Sequence, residues 1–358
     1  MKDNASPLFS QYILDGVQMT ETPFSALYDC LDGNGSVQIP DGPFDDIVDE
    51  YMDKEPRTTQ YNDRYIGGYV SEILHTAFNK KAIDMEYPAM WTISAINAIL
   101  LDALFRAGHF ILQDLLLMAR WDWNTAPAGS MAAFYESTVT AGHYLFDLGV
   151  KLDRYFVEQT KKDSTLEVTL RSRISSRRAC PDTMNQEGSS WLVYIPFAVN
   201  RRHLGGSALA AVAGGGNGPG MDLSDADYFI DCYEVVRELV EDGIITAGVP
   251  VGRGGLITAA EKFKGRKGFA LETSGIVSST GEADIMKILF AEVPGVLVQI
   301  RNDDYDYLDS QMLLQEIMYF PVGKPDLTAT EISVSNNNRM GIGSILESLL
   351  SQTSEGED

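Results

Sequence analysis

Ile244-Ile-Thr-Ala-Gly-Val-Pro-Val-Gly-Arg-Gly-Gly-Leu-Ile-Thr258 is the stretch on which the fold turns. Its opening, Ile244 to Val249, is short and largely apolar, as a buried strand is, and it runs into Gly254-Gly255. Leu256 to Phe263 then carries a helical pattern, so the whole reads as strand, glycine turn and helix. Glycines in such a turn let backbone amides converge and let a ligand approach closely. By themselves these residues read as a tight strand-to-helix turn with no ligand.

Outward from this stretch the alternation continues. Thr165 to Arg171 alternates with period two and predicts a strand, and Ser190 to Val199 predicts a more buried one. Asp225 to Asp242 predicts a helix, and Asp284 to Glu292 another, followed by a strand over Gly295 to Ile300. Alternation of this kind predicts an α/β or α+β layer domain of roughly 130 residues. In the first half, apolar residues at 44, 47, 48, 51 and 52 have helical spacing, and Tyr69-Val70 and Ile73-Leu74 are short β-like runs. A long helix is predicted over 90–118 and a second over Met131 to Leu148, stopped by Gly149. The tail from Gly341 places Ile345, Leu346, Leu349 and Leu350 on one helical face. At 358 residues the chain has room for two domains that share or abut one core.

A formal net charge of -23, from 28 Lys and Arg against 51 Asp and Glu, argues against a nucleic-acid backbone as partner. It fits a well-solvated, self-repelling surface. Cys30, Cys180 and Cys232 stand alone with no C-x-x-C pair, which supports neither a zinc knuckle nor a redox dithiol and fits a reducing compartment. The most apolar run, Ile96 to Met118, is interrupted by Asp102, Arg106, His109 and Asp114, which argues against a membrane span. The first residues lack the apolar run of a signal peptide. A soluble, cytoplasmic protein is expected.

Few motifs carry chemistry by themselves. Gly214 to Gly220 lacks the order of a P-loop and reads as a loop. His75, His109, His143 and His203 are scattered, and no G-x-S-x-G elbow is present. Asp225, Asp227 and Asp231 read as a solvated helix face, and no metal-ligand pattern emerges.

Taken in order, however, the segments resemble one family. Leu204-Gly-Gly-Ser207, Ala247-Gly248 with Gly254-Gly-Leu-Ile-Thr258, and Asp284 to Glu292 with Gly295 to Ile300 match its signatures directly. Ala119-Arg-Trp-Asp-Trp-Asn124 resembles its "SANWMW" turn, and Gly129 to Glu136 its "GEDARLYEA" helix. Phe146-Asp-Leu-Gly149 resembles "CELGI", and Lys162-Asp163-Ser164 the "GKDS" phosphate loop. Phe44 to Val48 with Arg57 to Gln60 resembles the opening of the same unit, and Tyr87 to Met90 the start of its long nucleotide-site helix. The family is phosphoribosylformylglycinamidine synthase, in its second aminoimidazole-ribonucleotide (AIR)-synthetase-like unit, and the resemblance covers roughly residues 44 to 350.

The resemblance implies an AIR-synthase-like two-domain unit. Residues 1–43 would form a divergent N-terminal segment, 44–165 an N-terminal α/β layer domain, 166–325 a C-terminal αβ domain and 326–358 an extension. It implies a cofactor-binding set of Lys162, Asp163, Ser164, Gly205, Gly206, Ser207, Arg253, Gly254 and Gly255. It also implies pairing through the N-terminal domain, with a second copy or a related synthase subunit. The family activity converts formylglycinamide ribonucleotide to its amidine with ATP and magnesium. Because the chain ends about where the family's glutaminase domain begins, ammonia would come from a separate subunit.

The departures point the other way. A Glu and an Asn one turn apart on the family's long helix help hold magnesium and nucleotide, and Ala98 and Asp102 stand at those places. The family's H-D-x-S-D-G-G-L loop reads here Val249-Pro-Val-Gly-Arg-Gly-Gly-Leu256, which keeps the glycines and loses the His, the Asp and the Ser. Magnesium needs hard oxygen ligands, and Arg253 inverts the local charge. Arg253 is suited to a bare phosphate or carboxylate, or to a salt bridge with a neighbouring acid of the same chain. The expectation is a non-catalytic homologue with a structural, scaffolding or regulatory role. ATP and magnesium enter only if the family activity survives.

Overall fold

The computed structural model describes residues 6–32, 83–107, 111–171, 178–186, 188–199, 201–215, 218–220, 222, 225–336 and 338–341. The elements expected over 44–52, 66–74 and the tail beyond 341 lie outside the described residues. A hairpin of β1 (Ile13–Leu14) and β2 (Val17–Gln18) opens the chain, followed by α1 (Pro23–Tyr28) and α2 (Pro88–Ala103). Next come β3 (Leu116–Trp123), α3 (Ser130–Asp147), β4 (Lys151–Gln159), β5 (Thr165–Leu170), β6 (Ser190–Pro196) and α4 (Ala208–Val212). The helix α5 (Ala226–Glu241), β7 (Ile245–Val251), α6 (Gly255–Phe263), β8 (Gly268–Glu272), α7 (Ser274–Thr280), α8 (Ile285–Phe290) and β9 (Gly295–Arg301) follow. The last elements are α9 (Tyr305–Leu314), β10 (Phe320–Gly323), β11 (Pro325–Asp326), β12 (Ile332–Asn336) and β13 (Asn338–Gly341).

The predicted helix over 90–118 is corrected. It ends at Ala103, and Leu116 to Met118 belong to β3, which pairs parallel to β4 and antiparallel to β5. An unbroken apolar run does not separate a buried strand from a buried helix, and here the two neighbouring strands decide. The helix predicted over 131–148 forms as α3, and Gly149, at φ 68°, ends it. Val150 N–H donates to Leu145 O and Gly149 N–H to Phe146 O, both at 3.0 Å, the paired bonds of a Schellman cap.

Besides the β1–β2 hairpin, three sheets are present among the described residues. The first has the order β4-β3-β5, so Thr165–Leu170 forms the predicted strand and its partner is β3 in the first half. Trp121 from β3 donates to Ser137 of α3 at 2.9 Å, and Ser137 bonds Thr92 of α2 at 2.7 Å, tying both helices to the sheet. The second sheet, β10-β6-β9-β7, is antiparallel throughout. Its strands are buried on both faces. Val193, Ile195, Val296 and Val298 join the core that contains α2, α3, α5 and the first sheet. Leu192, Tyr194, Leu297 and Val249 face a second core with α6, α8 and the third sheet, β11-β8-β12-β13. Double burial is why β6 and β9 read as continuous apolar runs in the sequence. The helix α5 starts at Asp225, whose side chain accepts from the Asp227 and Tyr228 amides, and it buries Phe229, Cys232, Val236 and Leu239. Burying each large apolar side chain contributes about 1.5–3 kcal/mol. None of the described helices is long and apolar enough to cross a membrane.

Candidate functional site

The strand β7 delivers its C-terminal end to Gly252-Arg253-Gly254, where the chain turns into α6. Gly255 sits at φ 72°, and a Cβ there would lie 2.5 Å from Leu289 O, so only glycine permits this approach of α6 to α8. Across the turn, Leu204 to Ser207 leads into α4, with Gly206 at φ 68° and the Ser207 hydroxyl accepting from Ala210 N–H at 3.1 Å. A Cβ on Gly206 would fall 2.5 Å from the Met90 side chain, so this loop packs directly on the first turn of α2. Tyr87, just before α2, donates to Gly218 O at 3.0 Å. Burial and then the charges of Glu86 and Asp84 raise its phenol pKa, which keeps it a donor.

Glu292 stands between these loops, its side chain 2% exposed. One carboxylate oxygen, Oε1, accepts from Ala208 N–H at 2.6 Å and from Gly254 N–H at 2.9 Å, satisfying amides at the starts of α4 and α6. The other, Oε2, accepts from Arg253 Nη1 at 2.6 Å, and the same Nη1 donates to Gly206 O at 2.8 Å. The Arg253 guanidinium lies 3.7 Å over the Trp91 ring, a cation–π stack. Its Nε and Nη2, and the Trp91 Nε1, are buried donors without a partner. Gly205, Gly206, Ser207, Arg253, Gly254 and Gly255 are therefore brought together around one carboxylate.

No family model matches the chain. A probable chloroplastic/mitochondrial phosphoribosylformylglycinamidine synthase of Arabidopsis thaliana is 25% identical over 209 residues, which are 54% of this chain and 14% of that protein. The phosphoribosylformylglycinamidine synthase of Homo sapiens is 24% identical over 209 residues, 54% of this chain and 15% of that protein. Among solved structures, T. maritima PurL complexed with FGAR superposes with a TM-score of 0.55 at 13% identity, covering 73% of this chain and 43% of that one. Over about half of its length the chain is similar in sequence to phosphoribosylformylglycinamidine synthases.

Its fold is that of the AIR-synthase-like proteins, an α/β class architecture. The chain matches well under two thirds of the length of these relatives.

In this synthase-like chain the remaining expected residues lie elsewhere. Lys162, Asp163 and Ser164 occupy the connection from β4 to β5. The Ser164 hydroxyl accepts from Asn124 N–H at 3.0 Å and its carbonyl from Ile83 N–H at 2.8 Å, while Lys162 N–H donates to the Thr160 hydroxyl. These bonds hold the start of β5 in the first half. Ala98 is exposed on α2. Asp102 is ion-paired to Arg106 at 2.9 Å and to Arg178 at 3.1 Å, and Arg178 also donates to Gly248 O.

The described residues of this turn do not fit magnesium. Arg253 stands where the ligand loop would supply a carboxylate, and both oxygens of Glu292 already accept hydrogen bonds from the chain itself. Glu292, Trp91 and Tyr87 were not assigned a role by motif reasoning. One signal for Glu292 was available: a lone acid in the apolar run from Ile288 to Ile300 must find a buried partner.

Proposed function

We propose that this chain is a degenerate, non-catalytic homologue of phosphoribosylformylglycinamidine synthase that acts as a structural, scaffolding or regulatory subunit. The observation that carries this reading is the self-contained Glu292–Arg253 pair at the mouth of α6. Amides of Ala208 and Gly254, which in an open loop would be free for a phosphate, are bonded to the chain's own carboxylate. A positive guanidinium in the same place disfavours magnesium and so removes the ion that would neutralise nucleotide phosphates.

The partner in this reading is a second copy or a related synthase subunit, joined through the N-terminal half in the cytoplasm. The strand β5 lies at an edge of the described first sheet, and an edge strand offers backbone groups to a neighbouring chain. The deciding assay incubates the purified chain with formylglycinamide ribonucleotide, ATP, magnesium and free ammonia. No amidine product above the uncatalysed rate is expected. Product formed in proportion to protein, and lost in Arg253→Ala, would overturn the proposal.

A further inference from the structure

Arg253 has five N–H donors in a fixed fork, and its Nη1 is the one bonded to Glu292 and Gly206 O. The donors left without partners are Nε and Nη2, which together form the side-on edge of the guanidinium. That edge is the one that meets two oxygens of an oxyanion with parallel bonds. The Trp91 Nε1, a third unpartnered buried donor, belongs to the ring stacked 3.7 Å from the same guanidinium. Three donors and no acceptor exclude a cation as the natural occupant and call for a group that only accepts. Left unpaired, each such donor keeps the full cost of its desolvation. The Arg253 side chain keeps 11% of its surface exposed, while Nε and Nη2 are themselves buried.

We propose that the Arg253 Nε/Nη2 edge and the Trp91 indole N–H form a metal-independent site for a phosphate group, free or as a phosphomonoester. The donors belong to two groups, the guanidinium and the indole ring it lies over, and a tetrahedral phosphate presents oxygens in more than one plane to meet both. Glu292 holds the guanidinium from behind and fixes its orientation without occupying this edge. The inference rests on the non-catalytic reading above only in needing no magnesium.

The test is calorimetric titration of the full chain with inorganic phosphate, glycerol phosphate and acetate, in EDTA at matched ionic strength, with tryptophan fluorescence followed in parallel. Saturable binding of at least one phosphate compound is expected at millimolar concentration or below, with acetate markedly weaker. Arg253→Lys keeps the charge but loses the fork and is expected to bind about tenfold more weakly. Trp91→Phe keeps a stacking ring without the N–H and is expected to lose the fluorescence response and part of the affinity. Native circular dichroism is the folding control for both variants. No saturable binding up to about 10 mM, ten times a 1 mM affinity, would overturn the site. So would equal binding of acetate, or unchanged affinity in a folded Arg253→Lys protein. Failure here leaves the non-catalytic reading intact, because that reading is decided by turnover with magnesium and ATP.

Discussion

Glu292 and Asp102 are both acids held by arginine, and they are built differently. Glu292 is 2% exposed and accepts from two backbone amides as well as from Arg253, so one side chain joins α4, α6 and the residues after α8. Asp102 is 22% exposed and is bridged by Arg106 one helical turn away and by Arg178 from across the chain. The first is a buried charge whose removal strands a guanidinium and two amides. The second is a surface clasp whose partners water can take over. Of the two arrangements, only the buried one takes up backbone amides at helix starts and so closes those amides to other uses.

The largest effect separates the two acids directly. Glu292→Ala is expected to cost about 3–5 kcal/mol, because it leaves Arg253 buried without its counter-charge. Urea unfolding monitored by circular dichroism measures it, and a cost equal to that of Asp102→Asn would erase the distinction. Next comes Gly255→Ala, which places a side chain at φ 72° and against the Leu289 carbonyl. A loss of about 2–4 kcal/mol is expected from strain and overpacking together. A change below 0.5 kcal/mol would mean that α6 is free to move away from α8, about the spread of an ordinary surface substitution. Asp102→Asn is expected to cost below about 1 kcal/mol, and to cost less still in high salt, as partly exposed pairs do.

The smallest effect concerns the three cysteines, which are buried and unpaired. Burial raises the Cys180 thiol to about 11 and the Cys30 and Cys232 thiols to about 12, against an ordinary value of 9.0. A thiol pKa raised by folding favours the folded state fully below the unfolded value. Stability is therefore expected to hold up to about pH 9 and to fall as pH rises toward 11 and 12. A thiol reagent at pH 8 should label the native chain slowly and the denatured chain at three sites. Rapid native labelling at any of the three would show that its segment opens.

The second half was the more legible part of the sequence. Asp225 caps α5, Gly254-Gly255 turns β7 into α6, β9 falls within a residue of its predicted limits and β6 starts where predicted but ends three residues early, at Pro196, because each carries its own local signal of cap, glycine or apolar run. The boundary between α2 and β3 was not legible, since what makes Leu116–Trp123 a strand is its pairing with β4 and β5, 28 or more residues away in the chain. At the site, the glycines and Arg253 could be named from motifs. Their gathering around Glu292, and the stacking of Arg253 on Trp91, depend on contacts between segments 39 and 162 residues apart, which no local pattern encodes.

Calorimetry with ATP and ADP, each with and without magnesium, tests the central claim most directly. The account predicts no magnesium-dependent binding up to millimolar nucleotide, because both Glu292 oxygens already accept hydrogen bonds from the chain and Arg253 brings a positive charge beside them. Magnesium-dependent binding in the micromolar range would contradict it, and would mean that the carboxylate leaves its amides and guanidinium when a nucleotide arrives.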